Sequence, residues 1–139
     1  MGGLFMENFG ADILAVLIGV AILLGILLVG WFVFNVLTKY DDLAEISKGN
    51  EAAGMYMGSK LLGLSIIVAM VSYSSDKWLD MVVWSGVGIA LLALIYLLFD
   101  FLMPKIDVCK EIANGNKAIA QLLRAIIIGV SIVIGTFLL

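Results

Sequence analysis

The chain has 139 residues, 63% of them hydrophobic and only 14% charged, with a net charge of −3. Soluble proteins are about half apolar and about a quarter charged, so this composition excludes a water-soluble domain. No basic patch gives nucleic acid a footing, and a single cysteine, Cys109, with no histidine excludes a disulfide framework within the chain and any His/Cys metal site.

Residues 1–12 carry Glu7 and Asp12 but no Lys or Arg. They lack the basic start of a secretory signal, so the first apolar run is expected to be retained as a helix. That run covers residues 13–37, and three more follow at 52–73, 79–103 and 118–139. A hydrocarbon core about 30 Å thick needs roughly 20 apolar residues at about 1.5 Å each, which every run supplies. None shows the strict apolar/polar alternation of a strand. Between the runs lie two polar stretches, 38–51 and 104–117, and a tight turn at 74–78. The expected fold is an all-α integral membrane protein with four transmembrane helices. No segment between the runs is large enough for a soluble domain.

The two polar stretches repeat each other. Glu45-Ile46-Ser47-Lys48-Gly49-Asn50 returns as Glu111-Ile112-Ala113-Asn114-Gly115-Asn116, with Asp41 matching Asp107, Ala52 matching Ala118, and Gly63-Leu64-Ser65 matching Gly129-Val130-Ser131. The chain therefore reads as one membrane domain made of two parallel two-helix repeats, 1–75 and 76–139. Within each copy, a short interfacial helix is expected at about 41–48 and 107–114. Gly49 or Gly115 ends it in a left-handed conformation. Asn50 or Asn116 caps the spanning helix that follows, and Glu45 or Glu111 folds back toward that helix's positive end. As physics this is a complete corner lock. Two other readings stay open: a pair of helix N-termini that favour an anion, and a surface that docks a protein.

Lys39, Lys48, Lys105, Lys110 and Lys117 flank the motif stretches, whereas Lys77 is alone at the other end. The positive-inside rule puts both motif loops in the cytoplasm and both termini outside. Tyr40 is expected at the inner interface, with Tyr73 and Trp78 at the outer one.

Three ionisable residues, Lys60, Asp100 and Arg124, fall inside the apolar runs, with Asn35 near the same depth. Such groups cost several kcal/mol unless paired or wet. One reading pairs Asp100 with Lys60, Arg124 or both, in a cluster lining a water-filled vestibule. The other lets the cations snorkel to the interface, an easy reach for Arg124 and a strained one for Lys60. Small residues at helical spacing, among them Gly54 with Gly58 and Ser131 with Gly135, mark faces where helix backbones can approach closely.

The doubled Glu-Ile-x-x-Gly-Asn-x-Ala, at Glu45 to Ala52 and Glu111 to Ala118, resembles the bacterial membrane family called domain of unknown function 350. The resemblance covers nearly the whole chain and implies a small four-pass inner-membrane protein of two tandem two-helix units. It implies no particular activity. Without histidine or a nucleophile beside a base, an enzyme is the least expected class, and no cofactor is expected. Two functions remain. One is a homo-oligomer conducting a small ion or solute past the buried charges. The other is a membrane scaffold, or envelope-stress partner, docking a cytoplasmic protein on its two corners.

Overall fold

The computed structural model describes residues 8–37, 42–102 and 107–139, without the side chains of Asp42 and Asp100. Its elements are α1 (Phe9–Leu37), α2 (Asp42–Ser47), α3 (Glu51–Ser74), α4 (Trp78–Leu102), α5 (Val108–Ala113) and α6 (Lys117–Leu138). All are α-helices. Four are long and apolar enough to cross a membrane, namely α1, α3, α4 and α6. The first span begins at Phe9, four residues ahead of the apolar run, because Gly10, Ala11 and Asp12 continue the helix. Such a start places Asp12 in the first turn, where the helix dipole favours a negative charge.

α3 and α6 form the centre. They run side by side in the same direction over their full length. At the motif end the Asn50 amide donates to the carbonyl of Ile112 at 2.8 Å. At the far end the Ser74 hydroxyl donates to the carbonyl of Leu138 at 3.3 Å. Between these ends the backbones close on each other at glycines. A Cβ built on Gly63 stands 2.5 Å from Ser131 Oγ, and Gly135 has Met70 lying directly on it. Gly54 and Gly58, the GxxxG pair in the sequence, have nothing within 4 Å. No other described helix of the chain approaches them, and α6 packs on the Gly63 side of α3.

α4 returns across this pair, with Gly88 against Ile67. Its turn is tied off by serines. Ser75 Oγ donates to the Val71 carbonyl at 2.7 Å, which satisfies one of the last carbonyls of α3. α1 is attached most lightly. Only Gly30 and Phe34 are buried along it, Gly30 against Leu64 and Ile89. Near its other half, a Cβ built on Gly19 would stand 3.6 Å from the ring of Trp78. The remaining surface of α1, Leu14, Leu17, Leu24 and Leu28 among it, is exposed and apolar. In a bilayer such a surface faces lipid at little cost, because lipid tails are as apolar as leucine. Tyr73 and Trp78, at the end away from the motifs, are exposed.

Candidate functional site

The two corners are built on the same plan. In the first, Gly49 adopts φ 85°. Its N–H donates to the Ile46 carbonyl at 2.9 Å, and the Asn50 N–H reaches back to the Glu45 carbonyl at 3.1 Å. In the second, Gly115 has φ 80°, with bonds to Ile112 at 3.0 Å and from Asn116 to Glu111 at 2.9 Å. This paired pattern is the Schellman ending, which uses up carbonyls that the short helix leaves free. Alanine at Gly49 or Gly115 is expected to cost about 1 kcal/mol, from the left-handed backbone alone. Thermal unfolding of Gly49→Ala in detergent measures it.

Each asparagine then starts the next span. Asn50 Oδ1 accepts from the Ala53 N–H at 3.2 Å. Asn116 Oδ1 accepts from Ala118 and Ile119 at 3.1 and 3.3 Å. With its oxygen committed to the cap, each side-chain amide donates to a glutamate, Asn50 to Glu45 Oε2 at 3.3 Å and Asn116 to Glu111 Oε2 at 2.7 Å. The glutamates therefore hold the caps. They reach the asparagine side chain and do not fold onto the helix N–H groups themselves. Asp107 sits one residue outside α5 as its N-cap, accepting from Lys110 N–H at 3.2 Å, where a first helical residue was expected. Asp41 lies outside the described residues.

The first corner carries an additional tie. The Asn50 amide also donates to the carbonyls of Ile112 and Ala113, across to α5. Beside it Lys117 Nζ meets Glu51 Oε2 at 2.8 Å. These two residues follow the two capping asparagines with opposite charges, a signal present in the sequence that the motif reading passed over. Both are more than half exposed, so Glu51→Gln is expected to change stability little. The same melting measurement checks it. Between the corners lies an open cleft of about 410 Å³, lined by Glu45, Lys48, Gly49, Asn50, Glu51, Ala113, Asn114, Gly115 and Lys117.

Deeper in the spans, Lys60 and Arg124 lie in different surroundings. Lys60 is 1% exposed. It lies nine residues into α3, roughly 14 Å from the corner. Its ammonium stands 4.1 Å from the centroid of the Tyr56 ring, a cation–π contact. Tyr56 stacks on Tyr96 at 6.3 Å, and Tyr96 meets Phe34 edge-on at 5.7 Å. Lysine and aromatics thus join α3, α4 and α1 at one level. The sequence reading did not include Phe34, Tyr56 or Tyr96, although all three lie within two turns of the motif-side ends of their spans. Arg124 is not brought into this group: its side chain is exposed on α6. Asn35 is half-buried near the end of α1. The Asp100 backbone is in α4, and its side chain lies outside the described ones.

Toward the other end of the bundle the buried polar groups thin to Ser85 and Ser131. Beside the aromatics the core holds a void of about 20 Å³ whose lining is apolar, Leu92, Leu123 and Ile127 among it. Apolar voids of that size stay dry. Among the described residues no group of His, Cys, Asp and Glu is arranged to hold a metal ion.

Four apolar spans, two capped corners and a buried lysine define a polytopic helical membrane protein. Residues 7–138 match the family described as Domain of Unknown Function (DUF350), and the chain belongs to that family. It is similar to the UPF0719 transmembrane protein YshE of Bacillus subtilis (strain 168), at 33% identity over 102 residues covering 73% of this chain and 76% of that protein. It is also similar to a UPF0719 transmembrane protein of Aquifex aeolicus (strain VF5), at 29% identity over 114 residues, 78% of this chain and 42% of that longer protein. No solved structure matches the chain.

Proposed function

We propose that this protein is a non-enzymatic homo-oligomer of the bacterial inner membrane, built from the two units 1–75 and 76–139, that conducts a small ion or solute past Lys60. The supporting observation is Lys60 itself, almost fully buried and held over Tyr56. The corners account for their own polar residues as structure, whereas a buried cation deep in a span is a costly feature that membrane proteins keep for ion and substrate handling. Within one chain the core beyond Lys60 is tight and apolar, so a path past it needs several copies to assemble. Both termini lie outside and the motif loops lie in the cytoplasm, on the lysine asymmetry of the loops.

The test is ion flux into liposomes carrying the purified protein. Wild type is expected to conduct, and Lys60→Leu to lose conduction while keeping its helical spectrum and oligomer size. Flux that is the same in both proteins removes Lys60 from the path.

The cleft between the corners supports a second reading, a scaffold that docks a cytoplasmic protein there. Glu45 and Glu111 are unsuitable probes because each holds a cap. Lys48, 71% exposed and only 3.7 Å from Glu45, reports on docking without opening a corner. Lys48→Glu abolishes partner binding under this reading and leaves flux unchanged.

A further inference from the structure

We propose that the exposed stripe of Lys117, Gln121 and Arg124 on α6 binds the phosphate of an anionic membrane lipid in the leaflet on the motif side. These residues are spaced four and three apart, so they share one face of the helix. All three are exposed. α6 is the one span with a marked polar face, and this stripe is what gives it that character.

The charges on the stripe do not balance. Lys117 is matched by Glu51 at 2.8 Å. Arg124 has no ion partner among the described residues, and it lies seven residues further along, roughly 10 Å below Lys117. An exposed guanidinium at that depth needs either water or an anion. The direction of α6 favours the anion. Side chains in a helix lean toward its N-terminus, and the N-terminus of α6 is the end at the interface. Arg124 therefore reaches back up past Gln121 toward Lys117, keeping its stem in hydrocarbon. The helix dipole is positive at this same end, where two added cations repel one another and an anion is favoured. A lipid phosphate lies at the depth the guanidinium reaches, and Arg can bind it through two parallel N–H donors. The site differs from the Lys60 cluster in helix face and in exposure, and it stands whatever passes that cluster.

The experiment reconstitutes the full chain in phosphatidylcholine bilayers with a trace of spin-labelled phosphatidylglycerol or spin-labelled phosphatidylcholine. The motionally restricted fraction of each label is read by electron paramagnetic resonance. Wild type is expected to hold phosphatidylglycerol roughly fivefold more strongly than phosphatidylcholine, the effect of about one basic side chain at an anionic surface. The preference should shrink in high salt. Arg124→Gln should bring it to near parity and Arg124→Lys should keep most of it. Lys117→Gln, which leaves the Glu51 carboxylate unmatched beside the stripe, should also reduce it. Equal association of both lipids with wild type overturns the proposal. So does a preference that survives both Arg124→Gln and Lys117→Gln in folded protein.

Discussion

Alanine at Gly63 is expected to destabilise the bundle by about 1–3 kcal/mol, the range for overpacking a close contact. Its added Cβ would stand 2.5 Å from Ser131 Oγ and 3.0 Å from Ile127 Cγ2. Neither neighbour can yield easily. Ser131 is fully buried, and its hydroxyl is fixed by a 2.6 Å bond to the Ile127 carbonyl. Relief therefore requires the backbones of α3 and α6 to part along the seam that organises the fold. Leucine at Gly63 should exceed the alanine effect. Two comparisons isolate the cause in thermal unfolding by circular dichroism in detergent. Ser131→Gly combined with Gly63→Ala should recover most of the loss. Gly129→Ala, at the matching position of the second repeat, has nothing within 4 Å of its Cβ and should be neutral or slightly stabilising through better helix propensity. Equal losses at Gly63 and Gly129 would mean that the seam is not where the tightness lies.

The second large effect is expected at Asn50, and it should be unequal to that at Asn116. Alanine at Asn116 removes a cap, worth about 0.5–2 kcal/mol, together with the Glu111 contact. Alanine at Asn50 removes the same cap and also the ties to the Ile112 and Ala113 carbonyls, at 2.8 and 3.3 Å. Each such bond contributes about 0.5–1.5 kcal/mol net. The Ile112 carbonyl keeps its bond from Gly115 N–H, so no buried group is orphaned and the total stays near 2–3 kcal/mol. Unfolding of the two single mutants side by side checks the order. If Asn116→Ala is as damaging as Asn50→Ala, the link from Asn50 to α5 contributes nothing.

The four spans and both corners are legible in the sequence for simple reasons. An apolar run of more than about 20 residues has few other uses, and Gly-Asn between helices suits both a left-handed ending and a cap. Helix neighbours are less legible. In helices apolar on nearly every face, a small residue says where a backbone can be approached and not by which partner. So Gly54 and Gly58 looked like a contact and are open, while the face marked by Ser131 and Gly135 carries the seam, together with Gly63. The same gap explains the two cations. Lys60 and Arg124 are alike in sequence, each several residues inside a span. α3 is touched by every other helix, so its lysine is enclosed. α6 has an outer side, and its arginine lies on it. Phe34, Tyr56 and Tyr96 read as ordinary span residues until three helices bring them to one level.

The light attachment of α1 bears on how the protein is assembled. A helix in lipid satisfies its own backbone, so α1 needs no neighbour to be folded. With only Gly30 and Phe34 buried, it gives up little by leaving the others. It emerges from the ribosome ahead of α3 and α4, and it can wait in the bilayer as a separate rod until they are inserted. Docking then completes the pocket wall that Phe34 forms beside Tyr96. Two separately expressed pieces, one ending after α1 and one starting before α2, should therefore reassociate in the membrane, whereas a break between α3 and α4 should scatter the fold.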